Sequence, residues 1–272
     1  MKGKYWLLAM VCLLLSACGD IEWFPDNNNG TGTGGTTVTA PTLSASLSPT
    51  AMLDGGSSTL TFKITNKTGN PAQTGMAFVE TFPSGFTGSV ATPLQCGGNM
   101  AVSTSGTSFI FIGGELASGT ASCTITADLI LTSPLLNTII SDQTFTLKST
   151  DFGSFQGGLV NGVADMTFKV FPAAATSGVV TVSLLTISDP TDDGSGPFTI
   201  EVSSFNNSSA NVNATVTVVA VDVNGAQIDS TLTTITGVLP PVLGQLTSAP
   251  KEVPPADAAK ISFWRVLSVV LQ

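Results

Sequence analysis

The chain has 272 residues, with 9 basic against 18 acidic side chains, a net charge of −9, and no histidine. That balance leaves no basic footprint for nucleic acid and no polybasic attraction to anionic lipid. Without histidine, Ser-His-Asp and Cys-His catalytic arrangements are excluded. Hydrophobic residues make up 42% of the chain, enough to build a core, and 28 Gly with 15 Pro favour strands and turns over helices.

At the N-terminus Lys2 and Lys4 precede an apolar run from Leu7 to Leu15, then Ser16, Ala17 and Cys18. A run this short is the core of a signal peptide and not a membrane span, which needs about 20 residues. Leu15-Ser16-Ala17-Cys18 resembles the lipobox of bacterial lipoproteins. The resemblance implies cleavage before Cys18, a thioether from its thiol to diacylglycerol, and acylation (palmitate) of the new amine. Several acyl chains, at about 0.8 kcal/mol per buried methylene, anchor a chain permanently. Gly19 stands directly after the cysteine and Asp20 follows, which by the same resemblance favours the cell outer membrane, facing periplasm or cell surface. Cleavage removes Lys2 and Lys4, leaving 7 of the 9 basic residues against 18 acidic ones, a net charge of −11.

Residues 18–41 are expected to be the lipidated terminus and a flexible linker. Asn27 to Thr39 has almost no apolar side chain to bury and reads as a coil tether, and Trp23 with Phe24 is placed at the lipid headgroups. From Pro41 onward the hydrophobic period is two, the mark of half-buried strands. Leu60, Phe62 and Ile64 alternate with Thr61, Lys63 and Thr65. Cys123, Ile125, Ala127, Leu129 and Leu131 share a face, and Phe145 with Leu147 and Met166, Phe168 and Val170 follow. A second series begins near Ala173: Val180, Val182 and Leu184, then Phe198, Ile200 and Val202, then Val212, Ala214, Val216 and Val218. Asp222-Val223-Asn224-Gly225 carries the Asn-Gly signal of a hairpin. Phe263, Arg265, Leu267, Val269 and Leu271 close the chain on one face, as a strand by their β-branched and aromatic content. The predicted architecture is all-β: two immunoglobulin-like β-sandwich domains in tandem, residues 42–172 and 173–272, after a signal peptide at 1–17 and the linker.

Two resemblances accompany this pattern. The first is carried by Leu60-Thr61-Phe62-Lys63-Ile64-Thr65-Asn66, Phe82-Pro83-Ser84-Gly85-Phe86, Cys96-Gly97-Gly98, Gly113-Gly114-Glu115-Leu116, Ser122-Cys123-Thr124-Ile125-Thr126 and Asn137-Thr138-Ile139. On these residues the span from about 43 to 171 resembles a β-sandwich repeat of unknown function found on bacterial surface proteins. Glu80 stands where that family usually has Asp. The resemblance implies a stalk-like or adhesive module without catalysis. Phe198-Thr199-Ile200-Glu201-Val202, Asn206 and Val221-Asp222-Val223-Asn224-Gly225 make 178–272 more distantly similar to extracellular FxLYD-type domains.

Cys12 leaves with the signal peptide and Cys18 takes lipid, so Cys96 and Cys123 remain, 27 positions apart, in a compartment that permits oxidation. We read them as a disulfide; two reduced thiols are the alternative, and zinc lacks the further ligands it needs. Ser248-Ala249-Pro250-Lys251 fits S-x-x-K and Lys67-Thr68-Gly69 fits K-T-G. Pro250 opposes the helical turn that would bring Ser248 to Lys251, so both read as chance. Asp189, Asp192 and Asp193, with Glu201, form an acidic turn that is either solvated surface or a calcium site, the weak metal candidate of the chain. The N-x-S/T frames at Asn66, Asn206, Asn207 and Asn213 carry little weight beside a bacterial lipobox. No catalytic residue and no cofactor are assigned. The expected function is a lipid-anchored, non-catalytic structural, adhesion or docking module, held in outer-membrane lipid through acylated Cys18 and meeting an envelope or extracellular protein or glycan partner. The alternative is an accessory module that binds glycan or calcium.

Overall fold

The computed structural model describes residues 38–131, 141–189 and 197–272. The lipobox, Trp23, Phe24, the tether up to residue 37, Asn137-Thr138-Ile139, and Asp192 with Asp193 lie outside the described residues.

The described chain is nearly all β. Its first part runs β1 (Thr42–Ser48), β2 (Ala51–Leu53), β3 (Ser57–Thr65), β4 (Gln73–Thr81), β5 (Phe86–Ser89), β6 (Leu94–Gln95), β7 (Gly98–Val102) and β8 (Ser108–Leu116). There follow β9 (Ser122–Leu131), β10 (Gln143–Leu147), β11 (Phe152–Gln156), β12 (Val160–Asn161) and β13 (Met166–Phe171). Two five-stranded sheets, ordered β12-β1-β3-β9-β5 and β11-β4-β8-β7-β6, face each other, and a smaller sheet β10-β13-β2 adjoins them. The alternation of β3 puts Leu60, Phe62 and Ile64 at 0% exposure, and β8 answers with Phe109 and Phe111 from the other sheet. Phe62 lies 5.0 Å from Phe78 and edge-on to Phe109 at 6.2 Å, so rings from both sheets interlock in one core.

A second part continues with β14 (Ala174–Ser177), β15 (Val180–Ser188), β16 (Thr199–Asn206), β17 (Val212–Val221), β18 (Thr233–Leu239), β19 (Val242–Thr247), a four-residue helix α1 (Pro255–Ala258) and β20 (Phe263–Leu271). Its sheets are β14-β15-β16-β19 and β18-β17-β20. Val180, Val182, Ile200, Val202, Val216, Val218 and Val266 meet between them in a second hydrophobic cluster, closed by Phe198 against Trp264 at 5.5 Å.

Two local expectations need correction. The closing strand does not keep Phe263, Arg265, Leu267, Val269 and Leu271 on one face. Its pairing with β17 slips between Thr217 and Val218, a bulge that inserts Leu267. Trp264 and Val266 therefore face the core before the bulge, and Val269 after it. Arg265 is turned the other way. The second concerns the tether, whose last residue, Thr39, is already held. The Asn70 side chain donates to the Thr39 carbonyl at 2.7 Å and accepts from its N–H at 3.4 Å.

Candidate functional site

The residues between the two hydrophobic clusters come from four places. The hairpin turn after β17 is an Asx turn: Asp222 Oδ1 accepts the N–H of Asn224 and of Ala226, both at 2.8 Å. Gly225 takes φ +75°, a conformation open to glycine. Its lack of a side chain also matters, because a Cβ there would stand 3.0 Å from Ala51 and from the Phe171 ring. The turn thus lies flush against β2 and the end of β13. Beside it, the Thr50 N–H donates to the Val223 carbonyl at 2.8 Å, and the Thr50 hydroxyl to Asn224 Oδ1 at 3.2 Å.

Arg265, the single arginine of the chain, completes this junction. Its guanidinium lies 4.3 Å above the Phe171 ring, a cation–π arrangement, and its Nη1 stands 2.8 Å from Asp142 Oδ1. The arginine is 6% exposed whereas Asp142 is 53% exposed. The contact through Nη1 is an ion pair without hydrogen-bond alignment, and Nε has no hydrogen-bond partner among the described residues. Next to it opens a cleft of about 390 Å³, bounded by Ser141 and Asp142 on one side, Ala174 to Thr176 on another and Arg265 to Val269 on the third.

The cysteines predicted to pair do so. Cys96 and Cys123 are disulfide-bonded with their Cα atoms 5.7 Å apart. Cys123 belongs to β9 and Cys96 to the tight turn between β6 and β7, so the bond joins the two five-stranded sheets. Beside it Gln95 grips the edge of β9 with both ends of its amide. Its Nε2 donates to the Thr126 carbonyl at 3.0 Å, and its Oε1 accepts the Thr126 N–H at 2.8 Å. β5 pairs only with the stretch of β9 from Asp128 onward, so the clasp covers an edge that no strand reaches among the described residues.

The remaining candidates are structural or fall elsewhere. The Ser248 hydroxyl accepts the Ile200 N–H at 3.0 Å, and the Lys251 main chain exchanges two hydrogen bonds with Phe198. The S-x-x-K residues therefore extend a strand ladder. Lys67-Thr68-Gly69 lies in the turn between β3 and β4. Asp189 follows the end of β15, and Glu201 Oε2 accepts the Thr186 hydroxyl at 2.9 Å. Among the described residues no group of three or more His, Cys, Asp or Glu is placed to hold a metal ion. Asn206, quoted above only as a sequon and in a resemblance, is a buried hub. Its amide donates to the carbonyls of Ala210 and Leu239 and accepts from the N–H and hydroxyl of Ser208.

One acid lies in the core itself. Glu80 on β4 is 0% exposed, shares the inward face with Phe78, and has Phe109 and Phe152 as cross-strand neighbours. Neither carboxyl oxygen has a partner among the described residues. Burial, reinforced by the charge of Asp151, pushes its pKa up to about 8. The composition could not show this, but the Met76-Ala77-Phe78-Val79-Glu80 alternation places Glu80 inward.

No curated protein matches this chain. Among solved structures, the BSP domain of a biofilm-associated protein is 10% identical with a TM-score of 0.27, the match covering 90% of this chain and 53% of that one. A partial N-terminal region of an enterococcal surface protein is 9% identical with a TM-score of 0.25, covering 90% and 87%. Red sea bream transglutaminase is 12% identical with a TM-score of 0.26, over 79% of this chain and 28% of that one. The chain thus spans little more than a quarter of the transglutaminase and about half of the biofilm-associated domain. Residues 41–151, from just before β1 to just before β11, match the family model of a domain of unknown function, DUF7933.

Proposed function

We propose that this protein is a non-catalytic surface module of a bacterial envelope, anchored by lipid on Cys18 and acting in adhesion or docking. The Cys96–Cys123 disulfide carries the reading, because structural disulfides form and persist in oxidising compartments and are rare in the cytosol. The lipobox supplies a route to that compartment and an anchor. The polar groups that resemble catalytic motifs support the same reading, since the Ser248 hydroxyl is committed to the main chain. Residues 178–272 are taken as an extracellular domain of the FxLYD type. The test is protease shaving of intact cells together with mass analysis of the N-terminal peptide. Removal of the β-rich body while a periplasmic control survives, with diacylglycerol on Cys18, is the expected result. A soluble chain with an unmodified Cys18 would overturn the anchor, and protection until the outer membrane is opened would overturn surface display.

A further inference from the structure

We propose that the cleft beside Arg265 binds the carboxylate of an extended polypeptide segment, which displaces Asp142 and adds main-chain hydrogen bonds to one strand edge, that of β14 or of β20. The inference deepens the docking reading and rests on it. Three observations carry it.

The guanidinium is fixed in place and underused. It is 6% exposed and stacked on Phe171, yet one carboxylate meets it at one nitrogen and Nε is unpartnered among the described residues. A planar guanidinium is built for two parallel bonds to a carboxylate, and an unpaired buried donor carries a cost that a ligand can remove.

Asp142 is an exchangeable occupant. At 53% exposure its carboxylate is open to water, which competes for the guanidinium from that side. Its carboxylate also shows which chemistry the cleft accepts. Among the described residues bounding the cleft, Asp142 is the one charged residue besides Arg265, so a departing Asp142 leaves these residues with a net positive charge.

The cleft walls are sheet ends. β14 is the terminal strand of one sheet and β20 of the other, and both bound the cleft. A terminal strand offers unpaired main-chain groups to an extended segment. The 390 Å³ cleft falls within the range of about 300–1,000 Å³ common for ligand pockets.

The chain has one arginine, so in ¹⁵N-labelled full-length protein the arginine Nε–H signal reports on Arg265 alone. The titrants are an N-acetylated pentapeptide of alternating valine and threonine with a free C-terminal carboxylate, and the same peptide as its C-terminal amide. We expect the acid to move the Arg265 signal saturably, the amide to leave it in place, and Asp142→Asn to tighten binding at least fivefold. A signal that the acid does not move, an equal response to the amide, or unchanged or weaker binding by Asp142→Asn each overturns the assignment. The Asn side chain keeps the shape of the loop, and circular dichroism of that variant reports folding independently. None of these failures bears on cell-surface display, which shaving reads separately.

Discussion

Glu80 makes the stability of this protein depend on pH in a direction opposite to most carboxylates. Its pKa rises from 4.5 to about 8 in the folded chain, first through burial and then through Asp151. Between those values the folded state keeps a proton that the unfolded state has released, so stability falls as pH rises. The contribution is fully present below about pH 4.5, declines by about 1.4 kcal/mol per pH unit, and is spent above pH 8. The whole span amounts to about 5 kcal/mol. Glu80→Gln removes the titration while keeping the size of the side chain. Urea unfolding of both proteins from pH 4 to pH 9 should show the difference between them growing in favour of the Gln variant as pH rises, and levelling near pH 8. A difference that stays constant across the range, or that grows in favour of the wild type, would refute the argument.

Reducing the disulfide, or replacing Cys96 and Cys123 by Ser, should lower stability by about 3.5 kcal/mol for a closed loop of this size, read in the urea midpoint. Hydrogen exchange should show loss of protection at the Thr126 amide in the same sample. Asn206→Ala removes four hydrogen bonds and strands two carbonyls, which should cost about 3 kcal/mol, read by calorimetric Tm. Gly225→Ala must place a side chain at φ +75° against Ala51 and Phe171. The backbone penalty alone is about 1–2 kcal/mol, and the Thr50 amide, bonded to Val223, should exchange faster as the junction loosens.

Period-two patterning made most strands legible, because Leu60-Thr61-Phe62-Lys63-Ile64 can bury one face only as a strand. The same logic failed at the closing strand. A single inserted residue at Leu267 reverses every side chain beyond it, and alternation in one strand holds no information about its partner's register. Arg265 was placed by that reading on an apolar face. Its solitary charge in a valine-rich strand was the signal that it has a special environment, but Phe171 and Asp142 come from elsewhere in the chain. Cys96 and Cys123 were readable as a pair through compartment and elimination. The clasp formed by Gln95 was not, since a glutamine that imitates a strand edge looks like any other. The sequon frame at Asn206 says nothing of its burial, and burial of a polar residue at a strand end depends on which strands close over it.

The disulfide has a mechanical consequence. Cys96 and Cys123 are 27 positions apart, and an extended chain spans about 3.4 Å per residue. When the chain is pulled from its ends, roughly 90 Å of contour therefore stays locked inside the covalent loop. Tension passes from Cys96 directly to Cys123 and bypasses β7 and β8. Single-molecule extension should register the shortfall as a smaller unfolding step in oxidised than in reduced protein.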